Sequence, residues 1–223
     1  MPASARLSSS ERDRLVALAE GNPLYLEELL HSSATLPEDA RDGVLGSTVP
    51  GRRISLPTLD ALLVERLDRL SREARRVVGV AAVIGRTFSL DVLEQAAGTQ
   101  DTEPAVAELL RRDFIREHRY YPRREYVFRH GLLRKAAVST LTPSRRMKLY
   151  GEVARTVERM FADALDEHLE VIAHYYARSN VPEKALEYLE RAADRAAALD
   201  ATEHANALRE RAREVARHLG DDS

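Results

Sequence analysis

Apolar residues along this chain recur mostly at the three-to-four-residue spacing of amphipathic helices, not at the alternate spacing of strands. Ser8 and Glu11 stand at capping-box separation ahead of Leu15, Val16 and Leu18, which predicts a first helix. Gly21-Asn22-Pro23 stops that helix and opens a second over residues 24–31. From 32 to 57 the chain is rich in Ser, Gly, Pro and Asp with no sustained period, and reads as a linker. Beyond it, Thr58 is placed to cap a helix carrying Leu59, Leu62, Leu63, Leu67 and Leu70 on one stripe. Ser71 is placed to cap the next, over 72–84, which Gly85 ends. Ser89 and Thr102 are placed to cap two shorter helices, the second with Pro104 in its first turn.

The period then changes. Residues 114–117 and 126–129 alternate like strands around a polar stretch, 118–125, and predict a two-stranded hairpin. Three short helices followed by a hairpin form the winged-helix arrangement. After His130 the pattern is helical again, over 132–141, 144–161, 165–178, 182–197 and 202–218. Ala185, Leu186, Leu189, Ala193 and Ala196, then Ala205, Leu208, Ala212 and Val215, mark the inner faces of the last two. Shortly connected helix pairs rich in small residues are what tetratricopeptide-type solenoids stack. The expected fold is therefore mainly α: a helical segment 1–31, a linker 32–57, a winged-helix domain with a small β-hairpin over 58–143, and tetratricopeptide-like helical hairpins over 144–223.

Composition narrows the chemistry. There is no cysteine, which removes disulfides, thiolate nucleophiles and zinc–cysteine sites. With 31% charged and 44% apolar residues and no run long enough to span a bilayer or to serve as a signal peptide, the expectation is a cytoplasmic protein without membrane contact. Basic charge is nearly all arginine, a usage typical of GC-rich genomes. A net charge of −2 hides an asymmetry: residues 111–148 carry twelve Lys and Arg against three acids, while 162–223 carry fourteen acids against eight bases.

The sequence has no Gly-x4-Gly-Lys-Ser/Thr loop, no His-Glu-x-x-His, no Gly-x-Ser-x-Gly and no glycine-rich dinucleotide loop. A phosphate cradle needs successive backbone N–H groups and a lysine, so the expectation is that the chain does not itself hydrolyse a nucleoside triphosphate by that route. Glu170 and His174 share a helix face, but one such pair falls short of a metal site. Arg119, Arg123 and Arg124 lie on the predicted wing and could track a phosphate backbone. The helix that would enter a DNA groove, however, carries Glu103, Glu108 and Asp113 against Arg111 and Arg112, which is poor major-groove chemistry and disfavours DNA as a partner.

The segment Gly21-Asn22-Pro23-Leu24-Tyr25-Leu26-Glu27-Glu28-Leu29 resembles the Gly-Asn-Pro signature in the helical lid of STAND ATPases, the signal-transduction branch of the AAA+ superfamily. The resemblance continues through Leu56-Pro57-Thr58-Leu59, Ala81-Ala82-Val83-Ile84-Gly85-Arg86-Thr87-Phe88, Leu109-Leu110-Arg111-Arg112-Asp113-Phe114-Ile115 and Tyr126-Val127-Phe128-Arg129-His130. These segments are similar to the lid, winged helix and first repeats of bacterial regulators that carry an ATPase module beside a nucleotide-cyclase or LuxR-type domain. The resemblance implies that Gly21, Asn22 and Pro23 form the lid motif, with Pro23 against an adenine, and that His130 reaches the β-phosphate of bound ADP. It implies ATP or ADP as cofactor only when the chain is joined to an ATP-binding core, and no cofactor for the chain alone. Arg129 and Gly131 depart from the family's histidine motif at its outer positions. The Gly-Asn-Pro triplet also reads as an ordinary helix-stopping turn, and His130 as a structural histidine. The partner expected at the helical repeats is a protein or effector domain, with a second copy of the chain as another candidate.

Overall fold

A computed structural model describes residues 9–19, 21–35, 58–98 and 102–221. The expected cap Ser8 and the linker residues 36–57 lie outside the described residues. The protein is mainly helical with a small three-stranded antiparallel sheet, and its contacts divide it into two units, the first ending at Leu70 and the second beginning at Ser71.

The first unit contains α1 (Ser9–Ala19), α2 (Pro23–Thr35) and α3 (Leu59–Asp68). Leu15, Leu29 and Leu62, one from each helix, form its core, with Leu18, Tyr25, Leu26 and Leu30 packed around them. The helix 59–68, which the pattern groups with the residues after it, thus belongs with α1 and α2. Thr58 caps it as expected, its hydroxyl accepting from the Ala61 N–H at 3.2 Å.

The second unit is built around α4 (Arg72–Ile84), capped by Ser71, whose hydroxyl accepts from Ala74 N–H at 3.1 Å. Small and β-branched residues from Val77 to Val83 are buried on every side of this helix, so it can be enclosed closely by its neighbours. Gly79 shows how closely: an added Cβ there would come within 3.3 Å of Leu141. Around α4 stand α5 (Leu90–Ala97), α6 (Glu103–Arg111), α7 (Gly131–Ser139) and α8 (Pro143–Met160).

The expected two-stranded hairpin is part of a three-stranded sheet. Its arms are β2 (Ile115–Arg119) and β3 (Glu125–Phe128), and β1 (Thr87–Ser89) pairs with the far side of β3, giving the order β1-β3-β2. Thr87 stands opposite Val127 and Ile115 opposite Phe128, with an irregularity between Glu117 and Arg119. Phe88 seals this sheet, its ring 6.0 Å from Tyr126 and 5.8 Å from Phe128. Ser89 ends the strand and caps α5 at once, accepting from Val92 N–H at 3.3 Å.

Thr102 does not cap α6. It sits in helical geometry, buried, and donates its hydroxyl to Glu94 at 3.2 Å. The helix expected over 165–178 is also broken: a 3-10 segment, Ala162–Glu167, with Ala164 at non-helical φ/ψ, precedes α9 (Leu169–Tyr176). The chain closes with α10 (Glu183–Ala198) and α11 (Thr202–Asp221), which fold back on one another through a tight connection with Asp200 in the left-handed region. Among the described residues no helix is long and apolar enough to cross a membrane.

Candidate functional site

At the α1–α2 junction each residue of the lid-like motif has a local task. Gly21 takes φ +78°, a left-handed position that glycine occupies without cost after a helix end. Asn22 donates its backbone N–H to the Ala19 carbonyl at 2.7 Å, while its side-chain oxygen accepts from Leu24 N–H at 3.1 Å and Tyr25 N–H at 3.2 Å. Asn22 is therefore the N-cap of α2 and Pro23 its first residue, where a missing N–H costs nothing. All three are exposed. Further along the motif Glu28 is buried and forms an ion pair with Arg66 of α3.

His130 lies in the second unit, at the N-cap position of α7 with extended backbone angles. Its side chain makes no capping bond; its carbonyl accepts from Leu133 N–H at 3.1 Å. Arg129 beside it donates to Asp113 at 3.1 Å, and its N–H to the Phe114 carbonyl at 3.0 Å. Gly131 has ordinary φ, and a Cβ there would meet nothing within 4 Å. A side chain larger than glycine would fit at that position.

Arg119, Arg123 and Arg124 of the hairpin are engaged within the protein. Arg124 pairs with Glu103 at 3.0 Å and faces the rings of Tyr120 and Tyr126. Arg119 lies 3.8 Å from Glu125, and Arg123 lies over the Phe161 ring at 5.1 Å. On α6, Ala105, Val106 and Leu109 are buried and Leu110 is half-buried. Glu170 and His174 are not turned to a common centre: Glu170 contacts His204 at 2.8 Å and His174 contacts Arg178 at 3.1 Å. Burial, then the charges of Arg178, Arg211 and Arg134, lowers the His174 pKa. Among the described residues no group of three His, Asp or Glu side chains could hold a metal ion.

Two features of the helical part escape motif reading. One is a cluster where α8, α9 and α10 meet. Glu158 accepts the Tyr176 hydroxyl at 2.5 Å and lies 3.5 Å from Lys184, while Tyr176 and Tyr188 stack with centroids 5.8 Å apart. Burial alone would raise the Glu158 pKa, but the hydroxyls of Tyr176 and Tyr188 and the Lys184 charge together hold it below the ordinary value. Burial, reinforced by Glu158, raises both tyrosines. Tyr175 donates to the Ile84 carbonyl at 2.6 Å, tying α9 to the end of α4, and burial pushes its pKa up to about 12.

The other is a cleft of about 560 Å³ between the end of α5 and helices α8 and α10. Arg145, Glu152, Arg155 and Arg159 line it along α8, with Lys184 across from them. The spacing of these four residues, 7, 3 and 4 apart, keeps them near one helix face and was the one sequence signal available for it. No family model, curated protein sequence or solved structure matches this chain.

Proposed function

We propose that this chain is the non-catalytic regulatory and interaction part of a STAND-type, ATP-dependent signalling or transcriptional regulator acting in the cytoplasm. In this reading α1–α3 are a lid, α4–α7 with β1–β3 are a winged-helix domain that relays nucleotide state, and α8–α11 are two tetratricopeptide-like hairpins that receive a protein partner. The observation that carries it is the order of parts. A Gly-Asn-Pro helix junction is followed by three helices, α2 to α4, a strand, two helices and a hairpin, and then by α7 and by α8–α11, of which α9, α10 and α11 each pack on the helix before. Pro23, exposed at the start of α2, offers a rigid apolar face to a base, and His130 offers an imidazole donor to a phosphate once an ATP-binding core is joined. The alternative of a duplex-binding winged helix is less well supported, because Arg119, Arg123 and Arg124 are occupied by Glu125, Phe161 and Glu103.

The isolated chain is expected to turn over no ATP, since it has no phosphate loop. A coupled phosphate-release assay on protein freed of contaminating ATPase checks this. Turnover clearly above that of a Pro23→Ala control would overturn the non-catalytic reading.

A further inference from the structure

Several arginines on the described surface of the second unit are held by the chain's own acids: Arg112 by Glu108, Arg124 by Glu103, Arg129 by Asp113, Arg191 by Asp166, Arg209 by Asp194. Arg145, Arg155 and Arg159 are different. All three are exposed, all three line the cleft along α8, and no side-chain hydrogen bond or ion pair holds any of their guanidinium groups among the described residues. Of the two carboxylates among the described residues of the cleft, Glu158 is already engaged by Tyr176 and Lys184. That leaves three guanidinium groups against Glu152, in the order plus, minus, plus, plus.

A guanidinium presents planar paired donors that match a carboxylate or a phosphate. Three further features choose between ligands. From Arg145 to Arg159 the helix rises about 21 Å, the reach of roughly six extended residues, so the cleft suits a chain better than a small molecule. No aromatic ring lines it among the described residues, so none of them would stack a base. Glu152 interrupts the positive row, and a phosphodiester strand cannot omit its charge opposite that position, whereas a peptide can. Ala96 and Ala97 supply a shallow apolar wall for the uncharged stretch between.

We infer that this cleft binds an extended acidic segment of a partner protein, with carboxylates meeting Arg145 at one end and Arg155 with Arg159 at the other, and uncharged residues between. That the segment belongs to a partner protein rests on the reading of α8–α11 as an interaction array; the carboxylate chemistry rests on the cleft alone.

The test uses the full chain and fluorescence anisotropy at about 0.15 M salt. The probes are a fluorescein-labelled peptide Glu-Glu-Gly-Ala-Gly-Glu-Glu and an equally labelled thymidylate heptamer. The peptide should bind, and the double variant R155E/R159E should weaken it at least tenfold, while R213E, a charge reversal on α11 outside the cleft, should leave it within twofold. If the double reversal unfolds, R155Q/R159Q should give the same ordering. Absence of peptide binding, equal binding by the cleft variant, or tighter binding of the thymidylate would each overturn the inference. None of those outcomes touches the non-catalytic reading, which the ATP assay decides separately.

Discussion

Glu28 is the residue whose sequence context says least about its task. In the sequence it is one of two adjacent glutamates in a helix; in the fold it is a buried carboxylate whose ion pair with Arg66 joins α2 to α3. Removing one partner of such a pair leaves an uncompensated charge, so Arg66→Ala should cost the first unit about 3–5 kcal/mol in denaturant unfolding. A loss below about 1 kcal/mol would mean that the pair is effectively solvated. Glu158 gives a pH signature. Its folded pKa lies below its unfolded value, near 4.3 for an ordinary glutamate. The stability it contributes is therefore present above that value and lost as pH falls through the lower folded value. Glu158→Gln should flatten the stability profile as pH falls from about 5 through that lower value, when unfolding midpoints are compared with the parent. An unchanged slope would remove Glu158 from the account. The residue-scale site was half legible: Gly21, Asn22 and Pro23 announce a junction through their backbone preferences. The Glu28–Arg66 pair spans 38 positions and leaves no local trace.

Helix starts were the most readable elements, because a cap is a contact between residues two or three apart. Thr58, Ser71 and Ser89 all accept the N–H three residues on. Ser71→Ala should accordingly cost about 1 kcal/mol, measured by thermal or denaturant unfolding. No measurable change would show that the α4 terminus is satisfied without it. Thr102 looks the same in sequence and acts differently, since its hydroxyl is drawn to Glu94 on the preceding helix. Strand β1 was unreadable for a related reason. Three residues, Thr87–Ser89, are too few to show a period, and what makes them a strand is pairing with β3 nearly forty positions away. The break before α9 follows from Ala164, whose backbone leaves helical geometry where the residue type gives no warning.

At the scale of the molecule, the helical order along the chain was legible and its grouping was not. Leucine spacing marks α3 as a helix but does not say that Leu62 packs with Leu15 and Leu29. In α11, Ala205, Leu208 and Ala212 are buried against the preceding helices, while Arg211, Arg213 and Glu214 are exposed. A repeat array buries one face on its predecessor and offers the other to whatever docks next. Helix α4, enclosed on all sides from Val77 to Val83, has no such free face there. Hydrogen exchange in dilute protein compares the two directly. Amides of residues 208–215 should exchange markedly faster than those of 77–84, and should slow when a partner or second copy docks. Exchange at 208–215 as slow as at 77–84 in the dilute, unpartnered chain would contradict the free face of α11.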